Sequence, residues 1–233
     1  MLVRTWNVFH GNAVPPLRRA YLREMVQLVT GDRPDVVCLQ EVPVWALKHL
    51  ERWSGMRAAG AVAAEPRLRS AELGRWITEL HHGLFRSAFT GQANAILVAP
   101  RFGIGDQQML VVSGAGERRV AQGVRLDGAI FVANLHLTGG APADEQFRAA
   151  ADFVEDQRED KVVLAGDVNL LPGEGRTYDL LRSRGFSEPL PGSIDQILVR
   201  GLPAPPPVAW PEDRRRVGGV LLSDHAPVEL KLG

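Results

Sequence analysis

Short apolar runs rich in β-branched residues recur along the chain: Leu2–Val8, Val36–Gln40, Ala95–Ala99, Ala129–His136, Val162–Ala165, Ile194–Val199 and Pro227–Leu232. Each has the length of a strand, and several are bounded by Gly, Asp or Pro, which predicts β-strands. Between them the period lengthens. Leu17, Tyr21, Met25 and Leu28 recur at spacings of four and three just after Pro15-Pro16. Phe147, Ala151 and Val154 do the same after Pro142, and Tyr178 and Leu181 precede Gly185, a natural C-cap. These spacings predict helices. The stretch 55–92 is rich in Ala and Arg, carries neither period, and fits a helix or a loop equally well. Pro203–Pro211 is too short to divide the chain and reads as a loop. The pattern is that of a mixed α/β protein with one domain expected over residues 1–233.

Polar residues stand where the apolar runs stop. Asn7 ends the first, Glu41 follows Val36–Gln40, and His136 closes FVANLH. Asp167 and Asn169 follow VVLAG, Asp195 lies within SIDQILV, and Asp224 and His225 open the last strand. One polar residue at a strand end is ordinary. A set on several strands is different, because neighbouring strands bring such ends together into one site. Carboxylate and amide oxygens without thiolates suit a hard cation, Mg²⁺ or Mn²⁺. A phosphate ester needs its charge neutralised, a water activated and a leaving oxygen protonated or shielded. Histidines and spare carboxylates supply those functions, so the set points to metal-assisted phosphate-ester hydrolysis.

Composition narrows the setting. Apolar residues make up 45% and charged residues 23% of the 233, ordinary values for a globular protein. No run approaches the roughly 18 apolar residues of a membrane span, and MLVRTWNVF lacks the basic-then-apolar form of a secretory signal. Cys38, the one cysteine, cannot form an intrachain disulfide. Together these lead to the expectation of a cytoplasmic protein. Charges balance, 27 basic against 27 acidic, which neither supports nor excludes a nucleic-acid partner because a basic groove can hide in a neutral total. Gly114-Ala115-Gly116 lacks the third glycine of a dinucleotide site, and neither Gly-x-Ser-x-Gly nor His-Glu-x-x-His occurs.

The polar-ended segments, in their order, resemble the endonuclease/exonuclease/phosphatase superfamily. TWNVFHG is similar to its opening strand, VVCLQEV to its metal-binding Glu motif, and ANLHL to the strand bearing its first His. LAGDVNLLP resembles its Gly-Asp-x-Asn motif, SIDQILV its short Asp motif, and LSDHAPV its terminal Ser-Asp-His motif. QANAILV is a weaker match to a Gly-Asn-x-Ile strand. The resemblance implies a four-layer sandwich of two face-to-face mixed β-sheets flanked by helices. It also implies that Glu41 holds the divalent metal with Asn7 close by and Asp224 on the metal side. Asp167 would orient or deprotonate the attacking water, and Asn169 would position it or the phosphate. His225, steered by Asp195, would hydrogen-bond the scissile phosphate, and His136 would stabilise the phosphate or assist the leaving group. The substrate stays open among DNA or RNA, a lipid head group, an inositol phosphate and a small metabolite. Pro191-Gly192-Ser193 lacks the aromatic that abasic-site endonucleases place before the Asp motif. A non-catalytic binding module that keeps the fold is the alternative.

Three further expectations are specific. Asp195 and His225 should lie within hydrogen-bond reach, about 2.6–3.2 Å. Cys38 should be a small buried hydrophobe. His10 and the basic run Arg214–Arg216 read as solvated loop positions, and the neighbouring His81 and His82 point apart on a helix or loop, so they are not expected to share a metal. The acidic partner that orients the first His in some superfamily members has no counterpart recognisable in the sequence.

Overall fold

The computed structural model describes residues 1–66, 90–113 and 116–233. His81, His82 and the Gly114-Ala115 pair lie outside them. The predicted strands form as β1 (Leu2–Asn7), β3 (Val36–Val42), β5 (Gln92–Val98), β8 (Ile130–His136), β9 (Val162–Asp167), β10 (Asp195–Arg200) and β14 (Val228–Lys231). The short strands are β2 (Ala13–Val14), β11 (Val208–Ala209), β12 (Arg216–Val217) and β13 (Val220–Leu222). The short strands have no counterpart in the sequence reading, β11 falling in the stretch read as a loop, and nor do three long ones: β4 (Arg57–Ala64), β6 (Ile104–Val111) and β7 (Val120–Leu126). β4 corrects the helix-or-loop reading of 55–92 over its own length. Its alanines have weak strand propensity, and pairing with β5 decides the matter.

Helix α1 (Leu22–Thr30) buries Leu22, Met25, Val26 and Val29. Leu17, expected on the same stripe, lies before the helix and is exposed. A 3₁₀ segment, Val44–His49, runs into α2 (Leu50–Ser54). Helix α3 (Ala143–Glu155) buries Phe147, Ala151 and Val154 as the period predicts. Helix α4 (Thr177–Ser183) is followed by Gly185 at φ 84°, whose amide donates to the Arg182 carbonyl.

Two mixed sheets stack face to face. One has the order β11-β14-β1-β3-β5-β4 and the other β10-β9-β8-β7-β6, with parallel pairing of β1 with β3 and of β8 with β9. Three cores separate four layers. The outer face of the first sheet, with Trp6, Val37, Leu39 and Leu97, packs on α1 and α2. The outer face of the second, with Phe131, Leu135 and Leu164, packs on α3 and α4. Val3, Val36, Cys38 and Ile96 meet Val132, Val163, Ala165 and Ile197 between the sheets. Strands buried on both faces explain why the sequence shows continuous apolar runs rather than alternation.

The inner faces are not apolar throughout. Reading alternate residues, β1 presents Val3, Thr5 and Asn7; β3 presents Val36, Cys38 and Gln40; β8 presents Val132, Asn134 and His136; β9 presents Val163, Ala165 and Asp167. β5, running the other way, presents Ile96, Asn94 and Gln92. The gap between the sheets therefore grades from hydrocarbon through a layer of amides to ionisable groups. The donors of this amide layer bridge the two sheets, while Gln40 Oε1 and Asn94 Oδ1 are buried without a partner among the described residues. Gln40 Nε2 donates to Thr5 Oγ1 at 2.9 Å and to Asn134 Oδ1 at 2.7 Å. Asn134 Nδ2 donates to the Leu39 and Ala95 carbonyls.

Candidate active site

Strand register delivers the ionisable groups to one end of the sandwich. Asp195 is the Cα partner of Asp167, and Asp167 is the partner of His136 across β8 and β9. Asn7 reaches over from the first sheet. Its Nδ2 donates to Asp167 Oδ2 at 3.0 Å and to Glu41 Oε1 at 3.3 Å, so one amide ties the two carboxylates together. Asn7 is itself oriented by the Phe9 amide, which donates to its Oδ1.

Glu41 breaks the alternation. It falls on the parity of Val37 and Leu39, which face outward, but the β3–β5 register slips between Leu39 and Val42 and Glu41 has φ 54°. The bulge turns its side chain into the site, a use typical of bulges beside functional centres. His10 joins it. Expected as a solvated loop residue, His10 is buried at φ 52° with Nε2 3.4 Å from Glu41 Oε2.

His225 Nδ1 lies 2.9 Å from Asp195 Oδ2, within the expected range. Its Nε2 then faces Asp167 Oδ2 at 3.8 Å. The segment carrying it is held by its backbone. Ser223, fully buried at φ 59°, donates to the Asn7 carbonyl at 2.7 Å and accepts from the His225 amide. Trp6 Nε1 and Arg215 Nη1 both donate to the His225 carbonyl at 3.0 Å. Arg215 is thus buried and structural rather than solvated, whereas Arg214 lies over the Trp210 ring and pairs with Glu229. Asp224 stands exposed at the rim beside His225. Asn169, at φ 49°, donates its own amide to Asp167 Oδ1 at 3.0 Å and its side-chain Nδ2 to the Leu137 carbonyl.

His136 has partners that the sequence reading missed. With the Gln92 amide oriented so that its oxygen faces the donors, that oxygen accepts from His136 Nδ1 and from Arg119 Nη1, both at 3.0 Å, and its nitrogen donates to Glu117 Oε1 at 2.6 Å. Arg119 Nη1 packs across the ring, 2.7 and 2.8 Å from its two nitrogens, while Nη2 pairs with Glu117 at 2.9 Å. The acidic residue, Glu117, thus acts on His136 through Gln92 and Arg119. Gln92 could have been found by extending the alternation of β5 by one step. Arg119 precedes a strand that the sequence did not reveal.

Electrostatics separates the two histidines. Burial, with the nearby charges of Arg119, His225 and His10, drives the His136 pKa well down, so the ring is neutral with Nε2 turned toward Glu41 and Asp167 at 3.6 and 3.8 Å. Burial also opposes charge on His225, but the hydrogen bond and charge of Asp195 outweigh it and raise its pKa to about 9. Burial pushes Glu41 up to about 7 against the Asn7 hydrogen bond and the Arg119 charge. Burial and then the Asp195 charge raise Asp167 to about 6. Half-buried Glu41 and buried Asp167 crowd together with no carboxylate–guanidinium contact among the described residues, and they fit a divalent ion, whose charge reverses the cost of ionising them. Their oxygens, with Asn7 between them, make a hard donor set. Asp167, Asp195 and His225 also each place one ligand atom within 4.8 Å of the others. There the Asp195–His225 hydrogen bond occupies Nδ1, one of the two imidazole nitrogens.

The chain matches the family model described as the Endonuclease/Exonuclease/phosphatase family over residues 5–225, and it belongs to that family. Solved structures share the fold at low identity. Truncated TDP2 from Caenorhabditis elegans is 18% identical, with a TM-score of 0.66 over 99% of this chain and 96% of that one. The mannosyl-6-phosphatase of Bacteroides thetaiotaomicron is 16% identical, with a TM-score of 0.67 over 100% and 99%. The 3′-5′ exonuclease NExo of Neisseria meningitidis is 19% identical, with a TM-score of 0.65 over 100% and 99%. No curated protein sequence matches the chain. No helix among the described residues is long and apolar enough to cross a membrane.

Proposed function

We propose that this protein is a divalent-cation-dependent hydrolase of phosphate esters, a phosphodiesterase or nuclease acting by in-line attack of an activated water. The observation that carries the reading is the pair of carboxylates, half-buried Glu41 and buried Asp167, tied by Asn7 and flanked by one neutral and one protonated histidine. Family membership supports it, as do fold neighbours whose names include an exonuclease and a phosphatase. Retention of every ionisable member of the motif set weighs against a binding module that has lost catalysis.

Glu41 would hold Mg²⁺ or Mn²⁺ with Asn7 beside it and Asp224 approaching from the rim. A cation bound there supplies charge to the phosphate oxygens and acidifies a coordinated water. Asp167 Oδ1 and Oδ2 are fixed by the Asn169 amide and Asn7 Nδ2, which leaves the carboxylate placed to orient a water and accept its proton. His225, protonated at neutral pH through Asp195, donates from Nε2 to a phosphate oxygen. Neutral His136, its Nδ1 proton given to Gln92, presents a lone pair at Nε2 that orders a water at the leaving oxygen. Asn169 lines the same edge.

The test is hydrolysis of bis-p-nitrophenyl phosphate and p-nitrophenyl phosphate with Mg²⁺ or Mn²⁺ and with chelator. Metal-dependent cleavage of the diester is expected. Activity on neither ester, or full activity after exhaustive metal removal, would overturn the proposal.

A further inference from the structure

Outside the carboxylate centre, a pocket of about 300 Å³ opens between α1 and the helical segment that follows Glu41. Trp45, His49 and Trp53 follow one another every four residues along the 3₁₀ segment and α2, and their rings cluster on one side. The His49 and Trp53 rings stack with centroids 5.3 Å apart and planes 26° apart, and Trp45 meets both edge-on. Arg19, Arg23 and Arg52 line the same pocket, and Glu24, the one acidic group lining it, is paired with Arg19. Arg52 Nη2 lies 3.5 Å from His49 Nδ1. Among the described residues neither Arg23 nor Arg52 pairs with a carboxylate, although the whole chain carries no net charge. Positive charge is therefore gathered here locally, beside aromatic rings.

That pairing of groups has a specific chemical meaning. Guanidinium groups hold phosphates, and aromatic faces and edges hold unpaired bases, whereas a duplex keeps its bases inside the stack. The location fits as well. Trp45 follows Glu41 by four residues, so at about 3.8 Å per residue the pocket begins within about 15 Å of the carboxylate centre. We propose that this pocket is a base-binding subsite for the unpaired nucleotide flanking the scissile phosphate, which makes single-stranded polynucleotide the substrate class. The proposal rests on the hydrolase reading for the scissile position but not for binding itself.

Binding can therefore be tested without turnover. Hexamers of deoxythymidylate and of uridylate, and a blunt G·C-rich DNA duplex long enough to stay paired, are titrated against the protein in chelator at low salt, with affinities compared per phosphate and tryptophan fluorescence and anisotropy as readouts. Arg23 and Arg52 are exposed, so the double variant Arg23→Ala/Arg52→Ala should fold normally, as thermal melting will verify. Expected are tighter binding of at least one hexamer than of the duplex, and about a 10-fold loss of hexamer affinity in the double variant. Trp53→Ala, checked by the same melt, should give a comparable loss. With metal present, bis-p-nitrophenyl phosphate hydrolysis by the double variant should equal wild type, because that small ester does not reach the pocket. Equal hexamer affinity in wild type and double variant, or equal binding of duplex and hexamers, would overturn the subsite. Loss of bis-p-nitrophenyl phosphate hydrolysis in wild type would instead strike the hydrolase reading.

Discussion

Glu41 occupies the one position in the site where strand alternation points the wrong way, and a bulge corrects it. Its folded pKa, about 7, lies above the ordinary carboxylate value. The sign follows: ionising this residue costs folding free energy that is absent below about pH 4.5 and fully charged above about pH 7. Glu41→Gln should therefore melt roughly 3–8 °C higher than wild type in chelator at pH 8, match it near pH 4, and lose metal-dependent turnover. Equal melting points at pH 8 would refute that account. His225 behaves oppositely. Its pKa is raised by Asp195, so the pair stabilises fully below about pH 6.5 and its contribution fades as pH rises through 9. Asp195→Asn should destabilise at pH 6 and not at pH 10, and should slow hydrolysis by about 10- to 10³-fold with a shifted alkaline limb in the pH–rate profile. Asp167→Ala should fold and lose most turnover; near-normal kcat in a folded variant would remove Asp167 from the mechanism. The Asp195–His225 contact was legible from sequence because each stands at the head of a strand-like run in a recognisable motif. The roles of His10 and Arg215 were not, because a loop residue's burial depends on what the rest of the chain lays over it.

At the scale of elements, the period-2 pattern carries more information than any single motif. Thr5, Gln40, Asn94 and Asn134 sit one step inward of the ionisable ends and close the seam between sheets. Asn134→Ala would take the side-chain donor from the Leu39 and Ala95 carbonyls and one acceptor from Gln40 Nε2, which keeps Thr5 Oγ1, without touching the ionisable groups. An unsatisfied buried group costs about 1–3 kcal/mol, so melting should fall by roughly 5–10 °C at unchanged metal affinity, measured by calorimetry. Gly166 shows the other constraint on this region. It has φ 141°, and a Cβ there would lie 2.1 Å from the Leu135 carbonyl oxygen, so β8 and β9 approach closely only because that residue is glycine. Gly166→Ala should separate His136 from Asp167, costing both stability and turnover. β4, β6 and β7 were illegible for a plain reason. Their alanines, glycines and exposed polar residues lack strand propensity, and only the neighbouring strands hold them extended.

At the scale of the whole molecule, the sandwich brings buried acids from both sheets to one end, and the metal is expected to relieve their mutual repulsion. Mn²⁺ or Mg²⁺ should raise the melting temperature at pH 8 and lose that effect below about pH 6, as Glu41 and Asp167 protonate. Scanning calorimetry across pH would show it, and metal-independent melting at pH 8 would contradict it. By itself the sequence determined the mixed α/β class, most of the central strands and helices, and the motif residues that end them, because apolar period and strand-end polarity are local properties of a chain. The family resemblance extended that to the layered architecture. Tertiary structure alone decided which side chains meet. Parity across paired strands aims Asn7, His136 and Asp167 inward, a bulge re-aims Glu41, and loops from distant segments bury His10 and Arg119 against them. Those outcomes depend on register and packing between strands far apart in sequence, where a slip of one residue would send the same side chains to the opposite face.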